Sequence, residues 1–167
     1  MNGLAAGLQG MYFHGTANYA PGNSLGLSQC YTPINEAGTP APEFYGLLFW
    51  QQMSGAGGSQ VMAGTQNVTG LDAYAVTGGD GRLRLALVNR DSASITVAAH
   101  TSLAYTKASE ISLTGPALNS LSGITLGGTA VAADGTWTPH PQPVIVNGTS
   151  STITIPAYTG MIITYSP

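Results

Sequence analysis

The stretch Leu71-Asp72-Ala73-Tyr74-Ala75-Val76, followed by Gly78-Gly79-Asp80-Gly81 and then Leu83-Arg84-Leu85-Ala86-Leu87-Val88, decides the fold class. Leu83, Leu85 and Leu87 alternate with Arg84 and Ala86 at the two-residue period of a half-buried antiparallel strand. Asp80-Gly81 between the two runs is a hairpin signal, and Asp134-Gly135 repeats it further on. Working outward, strands are predicted over 95–99, 108–113, 124–126, 129–132, 144–146, 151–155 and 161–165. Short strands with turn signals about every 8–12 residues predict an antiparallel β-sandwich or barrel. Residues 59–167 are long enough for one such core.

The first part of the chain, 1–58, has a different grammar. Leu4, Leu8 and Met11 lie near helical spacing, and Gly10 stands where a helix would stop. Met11-Tyr12-Phe13-His14 reads as a short buried strand ended by Gly15. Residues 16–42 are rich in Gly, Pro and Asn without a sustained period, and loops of that length in compact domains usually serve function or are disordered. Pro42-Glu43 then opens a helix, since Pro suits the first helical position and Glu its positive end. That helix carries Phe44, Tyr45, Leu47, Leu48, Phe49 and Trp50 nearly all round, as a helix packed on several sides does. The 1–58 part reads as a piece of a domain, and its opening residues as the end of a longer helix.

Composition removes several functional classes. Four Lys+Arg against seven Asp+Glu give a net charge of −3, with no basic stripe for nucleic-acid phosphates. No apolar run approaches the ~20 residues of a membrane helix. A 43% hydrophobic content with 7% charge argues against disorder. The single Cys30 excludes an internal disulfide framework and a cysteine-built zinc site. The start lacks the basic and apolar regions of a secretory signal. Low charge and abundant Ser, Thr and Gly suit an exported protein, secreted or periplasmic, and an intracellular parent equally.

Glycoside hydrolysis uses two carboxylates about 5–5.5 Å apart in retaining enzymes. Asp80 and Asp134 are explained by hairpin turns, Asp91 by a strand end and Glu43 by the helix start. Glu36, Glu110 and Asp72 remain, scattered over different elements with no motif around them. His14, His100 and His140 show no metal-ligand spacing. His100 and His140 lie in turn-like contexts, whereas His14 ends an apolar strand ahead of the long loop, either as a core histidine or at the mouth of a site. A Cys30–His14 nucleophile pair has no oxyanion-hole motif beside it, and an inert buried thiol is the simpler reading. Tyr19 and Tyr31 on the long loop are candidates for ligand contact, or for packing on their own domain. Trp137 after Asp134-Gly135-Thr136 is read as a hairpin cover rather than a sugar platform.

Taken together, three N-terminal motifs resemble the last barrel strand and helix of glycoside hydrolase family 79, the β-glucuronidase and heparanase-like enzymes. They are Gly10-Met11-Tyr12-Phe13-His14-Gly15, Tyr31-Thr32-Pro33-Ile34 and Pro42-Glu43-Phe44-Tyr45-Gly46-Leu47-Leu48-Phe49. The continuation through Asp72-Ala73-Tyr74-Ala75, the run from Gly81 to Asp91, Leu126-Gly127-Gly128, Asp134-Gly135-Thr136-Trp137 and Ile155-Pro156-Ala157 is similar to that family's C-terminal β-domain. The resemblance implies a mainly β chain, an antiparallel β-sandwich over 59–167 preceded over 1–58 by the terminal βα unit of a (β/α)8 barrel. It implies a retaining glycosidase whose catalytic glutamates lie upstream of Met1, so that no catalytic residue, metal or cofactor is expected in this chain. The partners it implies are a uronic-acid-containing glycan, met by Tyr31 through its hydroxyl with His14 nearby, and the missing barrel portion. Alone, such a chain is expected to be inactive, and its apolar helix must either meet that missing portion or rest on the β-domain. Two other readings stand beside this one. The first is a non-catalytic carbohydrate-binding β-sandwich, which a row of exposed aromatics would favour. The second is a small independent enzyme using Glu36 or Glu110.

Overall fold

The computed structural model describes residues 33–34, 38–55 and 67–167, and the backbone of 60–62. Among the described residues, helix α1 (Pro42–Ser54) precedes the strands β1 (Gln60–Met62), β2 (Leu71–Thr77), β3 (Leu83–Asn89), β4 (Ile95–His100), β5 (Lys107–Thr114), β6 (Thr125–Leu126), β7 (Gln142–Val144), β8 (Ser150–Ile155) and β9 (Gly160–Ser166). The larger sheet runs β1-β2-β3-β9-β5-β6 with β7 also on β5, and β4 pairs β8 in a second sheet. Every pairing is antiparallel. The chain is a mainly β, sandwich-type fold, as its alternation predicts.

Strand β9 is the centre of the larger sheet, hydrogen-bonded to β3 on one edge and β5 on the other. Met161, Ile162, Ile163 and Tyr165 are all buried on it. A strand buried on both faces carries a near-continuous apolar run, and Met161-Ile162-Ile163 is such a run. On one face, Leu71, Leu87, Met161, Ile163 and Tyr165 pack with Ile153 and Ile155 of β8, joined by Ile95 and Val97 of β4. On the other face, Val76, Ala86 and Ile162 pack under Met53 of α1.

Helix α1 therefore rests on the β-domain. Pro42 stands at its start, and Gly55 ends it at φ 66°, a left-handed conformation that costs glycine nothing. Tyr45 packs with Leu126 and Val131, and its hydroxyl accepts the Val131 N–H at 3.0 Å. Burying each side chain the size of Met53 or Tyr45 contributes roughly 1.5–3 kcal/mol. Hydrophobic burial is what seats the helix.

Asn89, 1% exposed at the end of β3, ties the two sheets together. Its Nδ2 donates toward the carbonyls of Ala93 (2.8 Å), Ile155 (3.1 Å) and Pro156 (2.9 Å), while Oδ1 accepts the Asp91 N–H at 2.8 Å. Two hydrogens thus serve three acceptors.

Most predicted strands lie where expected, with two departures. Residues 129–132 form no strand: Leu126 and Thr129 bond back to back around Gly127 and Gly128, both at positive φ, and the chain turns away. The strand expected at 144–146 lies at Gln142–Val144, where Pro143 sits on an edge strand opposite Ser109. Asp80-Gly81 does close the β2–β3 hairpin, with Gly81 at φ 73°. Asp134-Gly135 makes a turn closed by an Ala132 N–H to Thr136 carbonyl bond, outside any strand pair. The strand expected at 11–14, the helix ending at Gly10 and most of the 16–42 loop lie outside the described residues.

Replacing Asn89 with Ala is expected to cost roughly 2–4 kcal/mol, because buried carbonyls lose their donor. A urea midpoint indistinguishable from that of the native chain would show the tie to be dispensable.

Candidate functional site

The helix-bearing face of the larger sheet carries two clefts, one at each end of α1. The first, about 470 Å³, opens at the helix start between Pro42, Phe49 and the 115–124 loop. Its walls are chiefly apolar: Phe49, Leu113, Ile124 and the 76%-exposed Leu118. Tyr158 stands at its edge at φ 52°, a left-handed conformation uncommon for a bulky residue, and its N–H donates to the Asp91 carbonyl. Arg90 lies on the rim and is held by Asp72, Nε to Oδ2 at 2.9 Å.

The second cleft, about 520 Å³, opens where α1 ends at Gly55. Gln51 and Gln52 come from the helix, Asp80 and Arg82 from the β2–β3 turn, and Arg84 from β3. Ile111, Ile162 and Thr164 form its floor. Arg84 is only 7% exposed although strand alternation places it on a polar face. Its Nη1 donates to Asp80 Oδ1 at 3.0 Å and its Nη2 to Oδ2 at 2.5 Å, the bidentate geometry that suits guanidinium to carboxylate. These bonds from Arg84 hold the Asp80 carboxyl down to about 2, against an ordinary 3.8. The backbones of Gly55 and Gly78 approach so closely that a Cβ on either would lie 2.8 or 2.6 Å from the guanidinium. At Gly55 the positive φ of 66° adds a backbone reason for glycine, whereas at Gly78 a side chain would have to displace the Asp80–Arg84 pair.

Of the residues singled out from sequence, His14, Tyr19, Cys30, Tyr31 and Glu36 lie outside the described residues. Glu43 is in the first turn of α1, with its Oε2 buried and unpartnered among the described residues. Asp91 and Asp134 accept the amides of Ser92 and Thr136 in local turns. Glu110 lies on β5, and burial raises its carboxyl above the usual range. The described carboxylates thus sit on different elements, in turns, ion pairs, the helix start and a strand. His100 on β4 meets the Ser150 hydroxyl at 3.0 Å in an exposed cross-strand pair, and His140 is exposed. Trp137 packs beside Leu126 and donates its Nε1–H to the Leu126 carbonyl at 3.0 Å, as a cover does. Sequence reasoning missed the Asp80–Arg84 pair. Their four-residue spacing across the hairpin turn was the one signal that could have revealed it.

This architecture is a mainly β, sandwich-type fold that also occurs within solved glycoside hydrolase structures. The chain is similar to the glycoside hydrolase family 30 subfamily 8 xylanase Xyn30A from Clostridium acetobutylicum, at 10% identity and a TM-score of 0.61. That match covers 82% of this chain and 31% of the xylanase. It is also similar to a 4-O-α-L-rhamnosyl-β-D-glucuronidase from Fusarium oxysporum 12S, at 23% identity and a TM-score of 0.52, over 62% of this chain and 25% of that enzyme. At these identities the likeness is one of fold. The chain spans about a third or less of the length of either structure. No protein-family model and no curated protein sequence matches it.

Two pH effects follow. Asp80 titrates lower in the folded chain than its ordinary 3.8, so its contribution to stability is complete above about pH 4 and declines as pH falls towards about 2. Asp80→Asn should abolish that part of the acid dependence and lower the urea midpoint at neutral pH, where Arg84 would be left buried without its anion. Glu110 has the opposite sign: burial favours its protonated form, so its ionisation opposes folding as pH rises. Glu110→Gln should raise the melting temperature at pH 7 and leave it unchanged at pH 3, as thermal scans at the two pH values would report.

Proposed function

We propose that this chain is the C-terminal part of a retaining, family 79-like glycoside hydrolase acting on β-glucuronides or related glycans. In this reading residues 1–58 complete a (β/α)8 barrel, residues 59–167 brace it, and the catalytic glutamates lie upstream of Met1. The observation that carries the proposal is α1 seated by Tyr45, Phe49 and Met53 on the sheet of a β-sandwich whose fold recurs in glycoside hydrolases. A helix committed to the β-domain on one side, and following a loop of the family 79 pattern, is the joint that such a two-part enzyme requires. The likeness to a glucuronidase agrees with the substrate class that the sequence resemblance implies. The dispersal of the described carboxylates agrees with acid/base and nucleophile residues lying elsewhere.

Tyr31 would donate its hydroxyl to the uronic carboxylate, and His14 would stand beside it at the strand end. The missing barrel portion is the partner that completes the pocket. The purified chain is expected to leave an aryl β-glucuronide intact, and the chain extended upstream to hydrolyse it with retention of configuration. Within the extended enzyme, Tyr31→Phe should lower the preference for glucuronide over glucoside about tenfold or more, the loss of one hydrogen bond to a charged group. Turnover by the 167-residue chain alone would overturn the proposal, and unchanged discrimination in Tyr31→Phe would remove the role of Tyr31.

A further inference from the structure

We propose that the cleft at the C-terminal end of α1 is a non-catalytic saccharide site that grips vicinal hydroxyls. Two of the four basic residues in the whole chain, Arg82 and Arg84, line this one cleft. The Arg84 guanidinium is immobilised, clamped by Asp80 and wedged against the Gly55 and Gly78 backbones. Asp80 takes up two of its five N–H groups, so donors remain on a group whose orientation is already set. Asp80 accepts from Arg84 and from the Arg82 backbone N–H, and a carboxylate has about four lone-pair sites, so acceptor capacity remains too. Gln51 and Gln52 add amides that both donate and accept, from the last turn of the helix.

Guanidinium, carboxylate and amide are all planar forks, and each offers paired hydrogen-bonding atoms to two neighbouring oxygens. Adjacent sugar hydroxyls both donate and accept, so a mixed donor and acceptor set suits them better than it suits an anion. A sulfate or free carboxylate would also face the charge of Asp80. Beneath these groups the half-buried Ile111 side chain gives an apolar contact for the C–H face of a pyranose ring, with the half-buried Thr164 hydroxyl beside it. Pre-organisation of Arg84 lowers the ordering cost of binding. The site uses neither Tyr31 nor His14 and stands whether or not the chain belongs to a glycosidase.

The test is an NMR titration of the full 167-residue chain with xylotriose, cellotriose and laminaritriose, and with sodium sulfate as the anion control. At least one trisaccharide should give saturable shifts of the Gln51 and Gln52 side-chain amides, the Arg82 Nε–H and the Gly55 amide. Arg82→Ala removes an exposed side chain and should weaken that binding about fivefold or more. Lys107→Ala, an exposed cation outside the cleft, should leave it unchanged. Three results would overturn the proposal: no saturable response to any of the three sugars, equal binding by Arg82→Ala, or a response to sulfate in place of sugar. None of them bears on hydrolysis by the upstream-extended enzyme, so the two proposals fail separately.

Discussion

The described fold is arranged around one central strand most of whose large side chains are out of reach of water. Strand β9 is paired on both edges, and Met161, Ile162, Ile163 and Tyr165 are buried across its two sides. In that position each backbone polar group must find a protein partner, because a buried unpaired one costs about 1–3 kcal/mol. Strands β3 and β5 supply those partners. The two side-chain faces then require a layer each: the β4–β8 sheet over Met161, Ile163 and Tyr165, and helix α1 over Ile162. Polar atoms that must enter this core arrive already bonded, as Tyr165 does to the Ser151 hydroxyl at 2.6 Å.

The helix layer explains the polar seam as well. Once α1 covers the outer face of β3, Ala86 fits beneath Met53, and Arg84, two residues away, is carried under the helix end. A guanidinium cannot be desolvated alone, so Asp80 on the adjoining turn meets it with two hydrogen bonds. The Gly55 and Gly78 backbones close around the pair. An ion pair of this kind adds little net stability over an apolar replacement, yet removing one partner is costly. Its distinctive yield is geometry: a fixed, largely buried planar cation at the side of an open cleft.

The two ends of α1 consequently differ in chemistry. At its start the cleft is apolar and bordered by the exposed Leu118 and the strained Tyr158. At its end the cleft mixes donors, acceptors and an aliphatic floor. Neither brings two carboxylates together, and the described carboxylates serve turns, ion pairs and strand positions.

Sequence alone determined the β class, the β2–β3 hairpin, most strand positions and the helix beginning at Pro42. Each of these is written in short-range terms: two-residue alternation, an Asp-Gly turn, a proline whose fixed φ suits the first helical turn. It also placed Trp137 correctly as a cover. The strand expected at 129–132 failed because Gly127 and Gly128 divert the chain locally, and a β-branched, apolar run does not reveal whether a neighbour exists to pair with it. The tertiary structure decided which strands pair, that α1 lies on the sheet, and that Arg84 is buried. Alternation marks Arg84 as facing outward, and it does leave the sandwich core. Only the arrival of a helix, brought from some thirty residues upstream by hydrophobic burial, turns that outward face into a second interior. A local period reports which side of a strand a residue is on. What covers that side is a long-range fact that a local period does not carry.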